Sequence, residues 1–187
     1  MDIRQLSVTY VDEHDRILVR FNTSAEEELR LWLTRRMLSR VWEPLQEAVA
    51  QLESRKTPLT DSSEASRRML TELRRAEVLQ QSDFATPFKD ESAKLPLGSE
   101  PLTVTQMNMS VQDPGHLQIG FEERLPLQQE GRGFQVAMES AMLHGFVHLL
   151  EAALLKAEWN LPGAPQDGAR SGSTDDGNGE ARPRYLQ

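Results

Sequence analysis

The chain has 187 residues, 27% of them charged, with a net charge of −8 and no cysteine, which excludes disulfides and thiolate chemistry and leaves enough length to bury one core or a duplicated one. No apolar run approaches the roughly 20 residues of a membrane span, and Met1–Gln5 lacks the apolar stretch of a signal peptide, so no membrane is expected and the expected compartment is the cytoplasm. The acidic balance weighs against non-specific nucleic-acid binding, which needs Lys and Arg to neutralise phosphates.

Leu6, Val8 and Tyr10 alternate with polar residues, as a strand with one buried face requires. The acidic stretch Asp12–Asp15 reads as a turn, and Ile17, Val19 and Phe21 resume the alternation. Glu26, Glu27 and Glu28 read as exposed loop charge ahead of a third alternating trio, Leu29, Leu31 and Leu33. The period then changes from two to 3.6. Met37, Leu38, Val41, Trp42, Leu45, Ala48 and Val49 form one helical stripe. Pro44 falls inside that helix, where it removes a hydrogen bond, so a kink or a second helix start is expected there.

A polar link containing Pro58 follows at 53–61, then a surface helix from Ser62-Ser63-Glu64 to about Gln81. Its apolar stripe is Ala65, Met69, Leu73 and Ala76, with Arg67, Arg68, Arg74 and Arg75 on other faces. Residues 82–101, with Pro87, Pro96, Pro101 and Gly98, read as an extended connector that Phe84, Phe88, Leu95 and Leu97 pin to the core.

The pattern of the first 52 residues then recurs. Met107, Met109 and Val111 correspond to the first strand, Asp113-Pro114-Gly115 supplies a turn, and Leu117, Ile119 and Phe121 correspond to the second. A longer loop from Glu122-Glu123-Arg124 to Gly131-Arg132-Gly133 leads to Phe134, Val136 and Met138. The helix that follows repeats the first at a constant offset of 105, with Met142, Leu143, Phe146, Val147, Leu150, Ala153 and Leu154 on the earlier stripe. The fold class expected is α+β: duplicated β-β-β-α units, 6–52 and 107–157, forming antiparallel sheet or sheets with helices packed on one face. A linker, 53–106, carries one further helix. The whole makes a single domain over 1–160, and the Gly-, Asp- and Ser-rich segment 161–187 is expected to be a disordered tail.

Chemistry-bearing residues are sparse. His144, His148 and Glu151 share a helical face with metal-ligand spacing, but on a helical wheel they lie opposite the Leu143/Val147/Leu150 stripe, so a solvated face is expected and no metal. The acidic turn 12–15 lacks the spacing of a calcium loop, and no nucleophile elbow or phosphate loop is present, so no cofactor is expected. Strand parity singles out one surface. If Leu29, Leu31 and Leu33 face the helices, then Arg30 and Trp32 face away, as do Leu18 and Arg20, and the helix entrance adds Arg35, Arg36 and Arg40. Trp among arginines suits a partner-binding patch. The corresponding face of the second unit carries Gln118, Gly120, Gln135 and Ala137 and is nearly neutral.

The function expected is therefore a non-enzymatic protein-interaction or assembly module, with a protein partner or self-association. The strand–helix repeat resembles, in topology, the units of Pur-type and Whirly-type single-strand binders. Those units have four strands where three are found here. The resemblance implies single-stranded nucleic acid as an alternative partner, with bases stacking on Trp32. A second alternative is an enzyme with a site between the two halves, where His116 or His144 would meet carboxylates.

Overall fold

Alternation of apolar residues produces two sheets, each with one face on a shared core. The structure is a computed structural model and describes residues 2–56, 63–81, 88, 94–112, 115–126 and 131–165. The first sheet has the order β1-β2-β3-β4, with β1 Ile3–Val11, β2 Arg16–Thr23, β3 Glu28–Thr34 and β4 Leu102–Thr103. Its first three strands are antiparallel, and β4 adds in parallel beside β3. The second sheet, β5-β6-β7, is antiparallel throughout: β5 Gln106–Gln112, β6 His116–Glu123 and β7 Arg132–Glu139. Helix α1, Arg35–Lys56, follows β3, and α3, Ser140–Ala157, follows β7. Helix α2, Glu64–Gln81, lies between the units in sequence and packs on both other helices. The fold is thus α+β with two antiparallel-rich sheets and three helices. Among the described residues no helix is long and apolar enough to cross a membrane.

The expected strand parity holds in both units. Ile17, Val19, Phe21, Leu29, Leu31 and Leu33 are buried, as are Leu117, Ile119, Phe121, Val136 and Met138. The sheets meet through aromatic rings. Phe21 of β2 lies 6.0 Å from Phe121 of β6, 5.9 Å from Phe134 of β7 and 6.3 Å from Phe146 of α3. Helix packing is crossed between the units: α3 lies against β1, and α1 lies against β5.

Several expectations are corrected. Helix α1 continues through Pro44 as one element, so no second helix starts there, and Pro44 is exposed, so the carbonyl freed one turn earlier can be hydrated. Glu122, Glu123, Arg132 and Gly133 are paired strand residues rather than loop, because the β6–β7 ladder extends to Glu123↔Arg132. Glu28 is not exposed loop charge; it opens β3 and is buried. The apolar stripe of α2 faces solvent, with Met69 72% and Leu73 64% exposed. Arg75 of α2 pairs with Glu151 of α3, and Val78 and Leu79 are among the half-buried residues of the helix.

The hairpin turn at Asp12–Asp15 has a structural role. Asp15 sits in the left-handed region at φ 46° and accepts hydrogen bonds from Tyr10 Oη at 3.0 Å and Trp159 Nε1 at 2.8 Å. The Asp15 hydrogen bond, with its burial and nearby acids, raises the Tyr10 pKa above its ordinary value. In the connector, Lys94 bridges to Glu27, and Leu102 and Val104 are buried. Phe84 and the expected tail from 166 onward lie outside the described residues, whereas Leu161 is buried near Trp159 at the end of the body.

Candidate interaction surface

The outer face of the first sheet brings Arg20 directly opposite Arg30, and Leu18 opposite Trp32. Like charges facing each other across a ladder repel. Glu28 removes that conflict by accepting from Arg20 Nε at 2.6 Å and from Arg30 Nε at 2.7 Å and Nη2 at 3.2 Å. Burial pushes the Glu28 pKa up, but the hydrogen bonds and charges of Arg30 and Arg20 outweigh it and hold the carboxyl below its ordinary value. The Arg20 guanidinium also lies 4.3 Å from the centre of the Phe88 ring, a cation–π contact that places Phe88 on this face rather than in the core. Trp32 is half-buried between Leu18 on β2 and Thr103 on β4, with the His14 ring 5.4 Å away, edge-on.

Arg35, Arg36 and Arg40, at the start of α1, are exposed, and none has an acidic partner among the described residues. The helix start is capped by Thr34, whose Oγ1 accepts from Met37 N at 3.2 Å. No acidic residue occupies the first turn. Cations there oppose the helix dipole, at about 0.3–1 kcal/mol each. The six residues singled out by parity thus divide into two sets. Arg20, Arg30 and Trp32 are engaged within the fold. Arg35, Arg36 and Arg40 stand free beside them.

The equivalent face of the second sheet is close to neutral. Gln118 Nε2 donates to Gln135 Oε1 at 2.6 Å, and Arg124 pairs with Glu122 at 3.1 Å. Arg132 pairs with the buried Glu123, which also accepts from Thr103 N at 2.8 Å. A hollow of about 340 Å³ opens here over Gly120, Gly131 and Gly133. A side chain at Gly133 would meet the Phe121 carbonyl at 2.6 Å, so the close approach of the strands requires glycine.

A third cluster is internal. Glu53 of α1 and His144 of α3 are each 2% exposed, with Glu53 Oε1 3.3 Å from His144 Nε2 and accepting a short hydrogen bond from Ser140 Oγ. This corrects the solvated face expected for His144, His148 and Glu151. His144 and Glu151 are buried and His148 half-buried, because α3 packs on the sheets with one side and on α1 and α2 with another. The carboxylate holds the hydroxyl directly, so no imidazole stands between Ser140 and its acceptor as a general base would. Glu53 was missed in sequence, although it falls four residues after Val49 on the buried stripe of α1. The other histidine singled out for an enzymatic site, His116, lies 3.5 Å from the exposed Glu139. Among the described residues no three His, Asp or Glu side chains converge as a metal site would need. Comparison of the chain with protein-family models, curated proteins and solved structures finds no match.

Proposed function

We propose that the protein is a non-enzymatic interaction or assembly module whose contact surface is the junction of β3 and α1. The observation that carries this reading is the set Arg35, Arg36 and Arg40, exposed and without an acidic partner among the described residues. Arg35 and Arg36, in the first turn at the positive end of the helix, work against that helix, and Glu28 neutralises the arginines on the neighbouring strands, whereas among the described residues no acid pairs with these. Beside them Trp32 keeps part of its ring open. A complementary partner presents carboxylates to the arginines and an apolar group to the ring. The junction lies on a frame made from two copies of one β-β-β-α unit. What supports duplication is the shared strand order, the equal burial parity and the reciprocal packing of each helix on the first strand of the other unit.

The test is affinity capture with the full chain beside its Arg36→Glu, Arg40→Glu variant. A partner held by the wild type and lost, by tenfold or more, from the variant supports the surface. A partner retained equally by both overturns it. A chain that captures nothing and sediments as a strict monomer overturns the module reading itself. The Trp32–His14 ring pair beside free arginines favours single-stranded nucleic acid as the second reading. Titration of labelled oligonucleotides at low salt checks it, with no binding, or equal binding by Trp32→Ala, as the excluding result.

A further inference from the structure

We infer that β7 is a self-association edge, pairing antiparallel with β7 of a second copy to join two second sheets into one. The molecule treats its other sheet edges differently. Beyond β3 the two-residue strand β4 has been added, and Glu27 bridges to Lys94 just ahead of it. The edge strand β1 has α3 against it and a register break between Ile3 and Gln5. Strand β5 has α1 against it. Short strands, bulges and covering helices are the usual ways to blunt an edge.

β7, which α3 also touches at the start of that helix, is neither shortened nor bulged. It keeps unbroken register with β6 through all eight residues, Arg132 to Glu139. It contains no proline and no lysine. Among the described residues its only main-chain ladder is with β6. Half its N–H and C=O groups therefore point outward as a template for another strand.

The side chains favour a second copy as the occupant. A two-fold axis normal to the sheet keeps outer faces together and sets residues of equal parity opposite each other. Centred on Val136, the pairing puts Phe134 opposite Met138 of the second copy and Gln135 opposite Ala137. Centred on Gln135, it puts Phe134 opposite Val136 and Gly133 opposite Ala137. Neither register opposes like charges, and both set the Arg132 end of one strand beside the Glu139 end of the other. A single-strand contact buries less than the roughly 1,200 Å² of a standard stable interface, so the association belongs with the weak, transient class.

This inference rests on the assembly reading for its kind of activity, but on a strand remote in sequence from Arg36 and Arg40 of α1, so each surface is tested by its own variant. Sedimentation of the full chain across roughly 1 to 200 µM is expected to show a shift toward twice the 21.2 kDa chain mass. The variant Gln135→Lys, Ala137→Lys, altered at two exposed positions, is expected to stay monomeric with an unchanged circular dichroism spectrum. Mixing it with Gln135→Glu, Ala137→Glu is expected to restore the doubled mass as a heterodimer. A wild type monomeric throughout overturns the inference, as does a lysine variant that still dimerises. Slow amide exchange in β7 of a monomer also overturns it and assigns the edge to another segment of the same chain.

Discussion

Glu53 shows how a single residue can join parts of the chain that sequence keeps apart. Its carboxylate receives Ser140, 87 positions away, and lies beside His144, so one side chain ties α1 to α3. Glu53→Ala leaves the buried Ser140 hydroxyl without its acceptor and is expected to cost about 1–3 kcal/mol, read by urea unfolding. Glu53→Gln keeps an acceptor oxygen and should cost less. Glu28 makes a pH-dependent contribution. Its pKa is lower folded than unfolded, so the stability it adds is fully present above the ordinary value near 4.5 and is lost as pH falls through the folded value. Stability followed from pH 6 downward is expected to decline less steeply in Glu28→Gln than in the wild type. Neither role is legible from sequence, because an acid's partners are set by tertiary placement. Glu28 reads as the third of three loop glutamates, and only the β2–β3 register brings Arg20 to it.

Among the elements, α2 departs furthest from its sequence pattern. Ala65, Met69, Leu73 and Ala76 have the spacing of a core-facing stripe, yet Met69 and Leu73 are the most exposed large apolar side chains among the described residues. Arg75, on another face, pairs with Glu151. Replacing Met69 and Leu73 together with lysine is therefore expected to change unfolding free energy by about 0.5 kcal/mol or less, since neither touches the core. A loss of several kcal/mol would show that the stripe is buried in solution. The strands were far more legible. Leu29, Leu31, Leu33 and their counterparts Phe134, Val136 and Met138 lie on the side that alternation assigns them, because a one-residue slip would turn every apolar side chain outward. For α3 the pattern misled: its second buried face is lined by His144 and Glu151, polar residues that a one-stripe wheel assigns to solvent.

Over the whole molecule the two units are completed only by each other. Among the described residues the ring of Phe21 has three aromatic neighbours, Phe121, Phe134 and Phe146, from β6, β7 and α3. Residues 1–106 alone would expose that surface. Such a fragment is expected to lack a cooperative thermal transition and to bind a hydrophobic dye, whereas the full chain unfolds in a single step. The candidate surface was legible in part. Parity found the face with Arg20, Arg30 and Trp32, but which arginines are free depends on Glu28, invisible to parity alone.

The packing of α3 against β1 has a consequence during synthesis. β1 leaves the ribosome first among these elements, and residues 140–157 leave last. At about 5–20 residues per second, the interval between the end of β3 at Thr34 and the end of α3 at Ala157 is roughly 6–25 s. Through that interval Phe21, Leu31 and Leu33 have no completed core to enter. The nascent chain is then a client for holdase capture, and its folding waits on a long-range closure that α3 completes.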